Sequence, residues 1–380
     1  MRGRRSWVEV SRGRIQANFR AARALAGGAE VCAVVKADAY GHGAVEVSRT
    51  VAAEGGRWLA VSGAEEGAAL REAGIEGVRI LVMADSVVAS GRTMAEFGLT
   101  PVIHELGEIA VWAAMGSSLE RRLEYHLKVD SGMGRLGTRA ASPEVARAVA
   151  GGSPWARMEG LMTHFASAAD YMGSQTEAQA AAFEAVRAVL RAEPEFVHLE
   201  ATSAFAYGRS ARAGVGQTMV RLGHSIYGYV SPVRVRPNEP APENLLQVRP
   251  ALTWKASLLA VKELEAGAPV GYGAMFRTDR PMRIGIVATG YADGIPHRLG
   301  NRGRVIAGGE WAPILGAVSM DVTTIDLTRA PELGPGDAVT ILGKEGGCFQ
   351  DAQQLARVAG TISYRILCGI GPRVSRVWVD

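Results

Sequence analysis

Short apolar or β-branched runs recur along the first two-thirds of the chain: VCAVV at 31–35, WLAVS at 58–62, RILVM at 79–83, TPVI at 100–103, LEYHLKV at 123–129, MEGLM at 158–162, FVHL at 196–199 and MVRL at 219–222. Between most of them lie Ala-rich segments of helical length. Ala44, Val47, Val51 and Ala52 share one helical face, and Phe183, Val186 and Leu190 share another. Continuous apolar strands alternating with amphipathic helices predict repeated βα units on a parallel sheet. Eight strands is the number that closes a (β/α)8 barrel. An open, doubly wound sheet carries the same alternation.

At 232–250 the pattern lapses. PVRVRPNEPAPENLLQVRP holds five prolines and no periodicity, so it reads as a linker. Beyond it come strand-and-turn segments such as MRIGIVATG, GRVIAGGEWAPILG, VTTIDL, DAVTILG and VSRVWV, with one helical stretch, DAQQLARVAG, at 351–360. The texture predicts a barrel domain over 11–240 and a mainly β domain over 241–380. WVEV at 7–10 precedes the first helix, so residues 1–10 are expected to join the second domain as a strand.

Composition narrows the function classes. A chain of 380 residues has room for two domains with real cores. The net charge of +4 is small for this length. The start, MRGRRS, reads as a solvated tail; without a basic stripe interleaved with aromatics elsewhere, no nucleic-acid partner is expected. No stretch approaches a membrane span, and no apolar segment follows the basic start, so a cytoplasmic location is expected. Cys32, Cys348 and Cys368 lie far apart without a CxxC pair. They read as buried thiols in a reducing compartment, with neither disulfides nor a metal site.

The candidate chemistry sits where barrel strands would end, because such a barrel gathers its reactive groups there. Lys36 ends the first run, Arg135 follows the fifth, His164 the sixth and ATSA (201–204) the seventh, and Arg221 lies on the eighth. A lysine leaving an apolar run is desolvated, which favours the free amine that attacks a carbonyl. An amine holding an aldehyde cofactor as a Schiff base fits that chemistry. Taken alone, Lys36 reads more readily as a rim lysine snorkelling to water.

AVVKADAYGHG at 33–43 resembles the pyridoxal-phosphate attachment motif of alanine racemases. The resemblance continues, in family order, through KVDSGMGRLG (128–137), MTHFASAAD (162–170), VRLGHSIYG (220–228), VGYGAMF (270–276), GYADG (290–294), VSMD (318–321) and ISYRI (362–366). It implies a (β/α)8 barrel followed by a β domain. It also implies pyridoxal 5'-phosphate as cofactor and a head-to-tail homodimer in which each active site is completed by the other subunit.

The resemblance implies the following roles. Lys36 would carry the cofactor and act as base on one face of Cα, with Tyr272 as base on the other. A phenol needs electrostatic help to act near neutrality, which His164 and Arg221 would supply. Arg221 would face the pyridine nitrogen; a guanidinium does not give up its proton, so that nitrogen would stay neutral. Tyr40, Ser203, Tyr364 and the N–H groups of Gly223 and His224 would bind the phosphate. Arg135 and the Met320 N–H would hold the substrate carboxylate. Tyr291 would narrow the way in, and Lys128 matches a lysine often carbamylated in the family. Two positions depart from the pattern: Thr202 replaces an asparagine, and Ala317 replaces an arginine. The expected reaction is interconversion of L- and D-alanine, supplying D-alanine for peptidoglycan. A broader or serine-directed racemase, a fold-related basic amino-acid decarboxylase and a non-enzymatic cofactor-binding protein are the competing readings.

Overall fold

The computed structural model describes residues 4–209, 214 and 216–380; the first three residues of the basic start lie outside the described residues. The chain divides into two compact units. One comprises Ile15–Ala39 and Ala44–Arg249; the other comprises the N-terminal stretch through Arg14, Tyr40–Gly43 and Pro250–Asp380. A first strand, β1 (Ser6–Ser11), belongs to the latter unit.

Unit Ile15–Arg249 is built on eight parallel strands: β2 (Glu30–Val34), β3 (Trp58–Val61), β4 (Arg79–Val82), β5 (Thr100–Ile103), β6 (Leu123–Lys128), β7 (Ala156–Met162), β8 (Phe196–His198) and β9 (Met219–Leu222). They pair in sequence order from β2 to β8, and β9 returns beside β2. An isolated bridge between Ala201 and Arg221, with Thr218 N–H donating to Val197 O at 2.9 Å, brings the end of β8 beside β9 and nearly closes the ring. Near-closure excludes the open sheet. β3 and β5 are buried along their whole length, which is why they read as unbroken apolar runs, whereas β6 to β9 interrupt theirs with charged residues or histidines. Helices follow the strands, among them Ala44–Ala53, which buries Val47 and Val51, and Gln175–Arg187, which buries Phe183 and Val186 and stops short of Leu190.

β7 carries one irregularity. Tyr125 of β6 pairs with Met158, but His126 pairs with Gly160, so Glu159 is the extra residue of a β-bulge.

The other unit is a nine-stranded sheet plus a two-stranded ribbon. Its further strands are β10 (Leu252–Leu264), β11 (Pro269–Val270), β12 (Phe276–Arg277), β13 (Met282–Val287), β14 (Arg304–Ala307), β15 (Glu310–Pro313), β16 (Thr323–Asp326), β17 (Ala338–Glu345), β18 (Cys348–Gln350) and β19 (Ser375–Val379). Strand order is β15-β14-β17-β10-β1-β19, with β13 and β16 added to β10 and β18 to β17. β1 is antiparallel to β10 and parallel to β19.

The helix Ala352–Ala359 starts at a capping box, in which Asp351 accepts from Gln354 N at 2.8 Å and Gln354 accepts from Asp351 N at 3.0 Å. A second helix, Ser363–Cys368, carries the ISYRI motif; six residues are too few for a periodic signature, so the sequence did not announce it. Buried thiols were expected, but only Cys32 is buried. Cys348 is half-buried and Cys368 is exposed at the end of the short helix. Among the described residues, no helix is long and apolar enough to cross a membrane.

Candidate active site

The first barrel strand leads through Val35 into Lys36, and there the backbone changes hand. Ala37, Asp38, Ala39 and Tyr40 all have φ between 51 and 54°, and Gly41 follows at 79°, forming one left-handed turn, Lys36–Gly41. For L-residues such a turn costs roughly 1–2 kcal/mol per residue, so it persists only where neighbours hold it. They do. Glu66 takes the Ala37 and Ser62 N–H groups, each at 2.7 Å, tying the turn to the end of β3. Asp38 Oδ1 accepts from Ala44 N at 2.8 Å. Arg376 Nε donates to Gly41 O at 3.1 Å. A Cβ on Gly41 would lie 2.3 Å from Leu367 O, so only glycine fits there.

Lys36 emerges half-buried into a group of cations. Burial first, then Arg221, Arg135 and Lys36, push the buried Lys128 amine down to about 8. Burial and the same cations, with Lys128, push His164 down to about 3, so its imidazole is neutral. Arg221, 3 % exposed, is lowered to about 10 by burial and stays charged. Its fork is fixed from several sides: Nη1 donates to His198 O at 2.8 Å and Nη2 to Thr163 O at 2.7 Å and Leu199 O at 3.1 Å. Nη2 also lies 3.4 Å from His164 Nδ1. Because arginine only donates, His164 Nδ1 accepts and its proton sits on Nε2.

Arg135 is exposed on the loop after β6. Asp130 organises that loop: its carboxylate accepts from Gly132 N at 3.1 Å, Met133 N at 2.8 Å, Gly134 N at 3.0 Å and Arg139 Nε at 2.9 Å. Burial pushes the Asp130 carboxyl up, but these donors outweigh it and bring it from 3.8 to about 2. A lowered value means the stabilisation is complete above the ordinary aspartate range and disappears as pH falls toward about 2. Asp130→Ala is expected to free the loop that carries Arg135, read as faster backbone amide exchange at Gly132, Met133 and Gly134 than in the wild type.

Ser203 lies in the short helix Thr202–Ala206, after β8. Gly223 and His224 form the turn after β9. Thr202 joins these two places: its Oγ1 is 3.2 Å from Ser225 Oγ and accepts from Ser225 N at 3.3 Å. The departure from asparagine thus leaves a buried scaffold contact. The His224 ring stacks on Tyr229 with centroids 5.0 Å apart.

In the other unit, Tyr40 and Tyr364 approach with ring centroids 5.9 Å apart, and burial, then Tyr364 and Cys368, push the Tyr40 phenol up. Tyr272 opens a turn, Tyr272–Ala274, and is 77 % exposed. Met320 is 52 % and Tyr291 45 % exposed. The last two are brought together by Tyr291 N donating to Ser319 O at 2.9 Å and Ala292 N to Met320 O at 3.0 Å. Asn301 pins the Tyr272 turn to the half-buried Ala317 segment, donating to Met275 O at 2.8 Å and accepting from Gly316 N at 2.6 Å. Asp130, Glu66 and Asn301 escaped the sequence reading; only the Gly-x-Gly spacing after Asp130 hinted at a carboxylate-held loop.

The donor set suits an anionic aldehyde. Two primary amines, two arginines and a neutral imidazole act on one another there; burial first, then these neighbouring cations, lower Lys128 and His164, and a bound anion would relieve the second of those causes. Among the described residues no cluster of three or more His, Cys, Asp or Glu could hold a metal ion.

The family profile for the alanine racemase N-terminal domain matches residues 10–232, and that for the alanine racemase C-terminal domain matches residues 251–378. The alanine racemase of Syntrophobacter fumaroxidans is 36% identical over 369 residues, 96% of this chain and 95% of its own. The crystal structure of alanine racemase from a D-cycloserine-producing Streptomyces lavendulae superposes with a TM-score of 0.88 at 31% identity, covering 100% of this chain and 98% of its own. That from Bartonella henselae, described with covalently bound pyridoxal phosphate, gives 0.83 at 26% identity over 99% of both chains. With both domain profiles matched in order and relatives aligned end to end, the chain belongs to the alanine racemase family.

Proposed function

We propose that this enzyme, an alanine racemase by family, moves the α-proton of alanine between two bases, Lys36 and Tyr272, supplied by two copies of the chain, with pyridoxal 5'-phosphate as cofactor. The observation that carries this reading is the convergence of Lys36, Lys128, His164 and Arg221 at the C-terminal ends of the barrel strands.

Lys36 would hold the cofactor. Ser203, Tyr40, Tyr364 and the N–H groups of Gly223 and His224 would hold its phosphate. When bound, pyridoxal phosphate withdraws electrons from Cα and makes its proton acidic. The chain's own groups do the rest. Lys36 Nζ takes or returns that proton on one face, and Tyr272 Oη does so on the other, so the substrate need not turn. His164 presents its Nε2–H as the donor end of a chain that starts at Arg221, which is what a phenolate oxygen requires. Arg221 would face the ring nitrogen with a guanidinium, which gives up no proton, and would so limit how much charge the ring accepts. Arg135 binds the substrate carboxylate as a planar fork, joined by the Met320 N–H of the second copy. Tyr291 narrows the approach. With its amine near 8, Lys128 is partly neutral at physiological pH, the form that adds carbon dioxide, which supports carbamylation there.

The exposure of Tyr272, Met320 and Tyr291 in a single chain supports a head-to-tail homodimer. The product would be D-alanine for peptidoglycan, made in the cytoplasm. The test is subunit mixing. Lys36→Ala and Tyr272→Phe chains, each inactive alone, are expected to recover about a quarter of wild-type activity when reassorted, because half the dimers then hold one whole site. No recovery would place both bases in one chain or neither in the mechanism. Racemisation rates for alanine, serine, lysine and ornithine, with carbon dioxide measured alongside, separate the alanine enzyme from a broad racemase or a decarboxylase.

A further inference from the structure

Glu159 is a buried carboxylate that the reaction described above does not use. It is 2 % exposed, inside a barrel, where an unpaired charge would be costly. The β-bulge explains its direction, because an extra residue breaks strand alternation and re-aims a side chain. One carboxylate oxygen is bonded to Arg79 and lies 3.3 Å from Arg157 Nη2. The other lies 3.6 Å from His126 Nε2, an ion-pair distance just beyond a hydrogen bond, and neither atom has a hydrogen-bond partner. Burial pushes the Glu159 carboxyl up, but His126 and Arg79 outweigh it and bring it to about 2, so it is ionised.

From His126 the contacts continue across the barrel. His126 Nδ1 is 2.8 Å from His198 Nε2, and His198 Nδ1 is 2.8 Å from Arg221 Nη1. Donor chemistry fixes every proton. Arginine only donates, so His198 Nδ1 accepts and Nε2 carries the hydrogen. His126 Nδ1 therefore accepts, and its hydrogen is on Nε2, facing a carboxylate that only accepts. Both imidazoles are buried and held below the ordinary histidine range, so they are neutral. Gly160 seats the ring: a Cβ there would lie 2.5 Å from His126 Nδ1. Phe196 stacks on His126 at 5.7 Å, and Trp58 lies at 5.4 Å.

We infer that Glu159 and His126 are positioning residues for Arg221: the carboxylate draws the His126 proton to Nε2 across 3.6 Å, and the hydrogen bonds from His126 through His198 to Arg221 then run one way, keeping His198 Nδ1 an acceptor. The two tautomers of a neutral imidazole lie close in energy, so the choice falls to the two ends of the chain, Arg221 as a pure donor and the Glu159 carboxylate as a pure acceptor. If the chain reversed, His198 Nδ1–H would meet the Arg221 N–H at 2.8 Å, two donors face to face, and the guanidinium would be driven from its place.

The test uses holoenzyme labelled with 15N at histidine, with ring-nitrogen correlation spectra recorded from about pH 5 to about pH 9. In the wild type, His126 and His198 are expected to be neutral with the proton on Nε2 throughout. An Nδ1–H or a titrating ring at either position overturns the inference without any variant. Glu159→Gln offers a donor as well as an acceptor at the same volume. It is expected to populate the second tautomer at both histidines and to lower kcat about tenfold, with KM for alanine nearly unchanged. A slower enzyme with unchanged tautomers is a structural effect and overturns the inference, as do altered tautomers with an unchanged kcat. The inference rests on the role proposed for Arg221. Failure of that role would appear as a wild type that does not racemise alanine, whereas failure here appears in the spectra of an active one.

Discussion

Lys36→Ala is expected to suppress α-proton exchange from both L- and D-alanine by more than about 10⁴-fold. Two losses combine. One is a base that touches the α-proton, a contribution of about 10²–10⁴-fold by itself. The other is the covalent hold on the cofactor proposed for it, without which the ring would sit loosely. Nothing nearby substitutes. Lys128 is buried at the end of β6, and His164 is held neutral with Nδ1 committed to Arg221. The measurement is deuterium incorporation at Cα in heavy water, followed by proton NMR for each enantiomer, with bound cofactor quantified by its absorbance. Exchange within tenfold of wild type from either enantiomer would remove Lys36 from the chemistry.

Tyr272→Phe is expected to be lopsided. Only the phenolic oxygen is lost, and the ring keeps its shape. Exchange from one enantiomer should fall by about 10²-fold or more, because that face has lost its base; exchange from the other should fall by less than about tenfold, because Lys36 still serves it. Net racemisation falls with the weaker face, since a proton taken on one side must be returned on the other. A structural role for this exposed turn residue would lower both exchanges together, as would a mechanism with a single base. Equal and small effects would end the two-base reading.

The barrel was legible for a physical reason. Parallel strands covered on both faces must be apolar throughout, so EVCAV, RILV and TPVI stand out against their amphipathic connections. The strand-end residues followed from the same logic, since a barrel leaves few other places for polar groups to meet. The left-handed turn after Lys36 was not legible. Ala, Asp, Ala and Tyr have no taste for it, and the groups that impose it, Glu66 and Arg376, come from elsewhere in the chain. The bulge at Glu159 was hidden likewise, because it exists only in the pairing of β7 with β6. Asp130 lay inside a quoted motif, but its work is done on backbone N–H groups that no spacing rule names.

The turn at Ala37–Tyr40 carries a chemical irony. Positive φ is the natural conformation of the mirror-image amino acid, so the backbone at Ala37 is shaped for D-alanine, the molecule this enzyme is proposed to make. Ala37 is exposed, and swapping its hydrogen and methyl by semisynthesis would crowd no core. A chain with the inverted centre at that position is expected to be more stable than the natural one by roughly 1–2 kcal/mol, read as a later thermal melting midpoint. A ribosome, confined to one hand, must instead leave Lys36 at the head of a turn that would rather unwind.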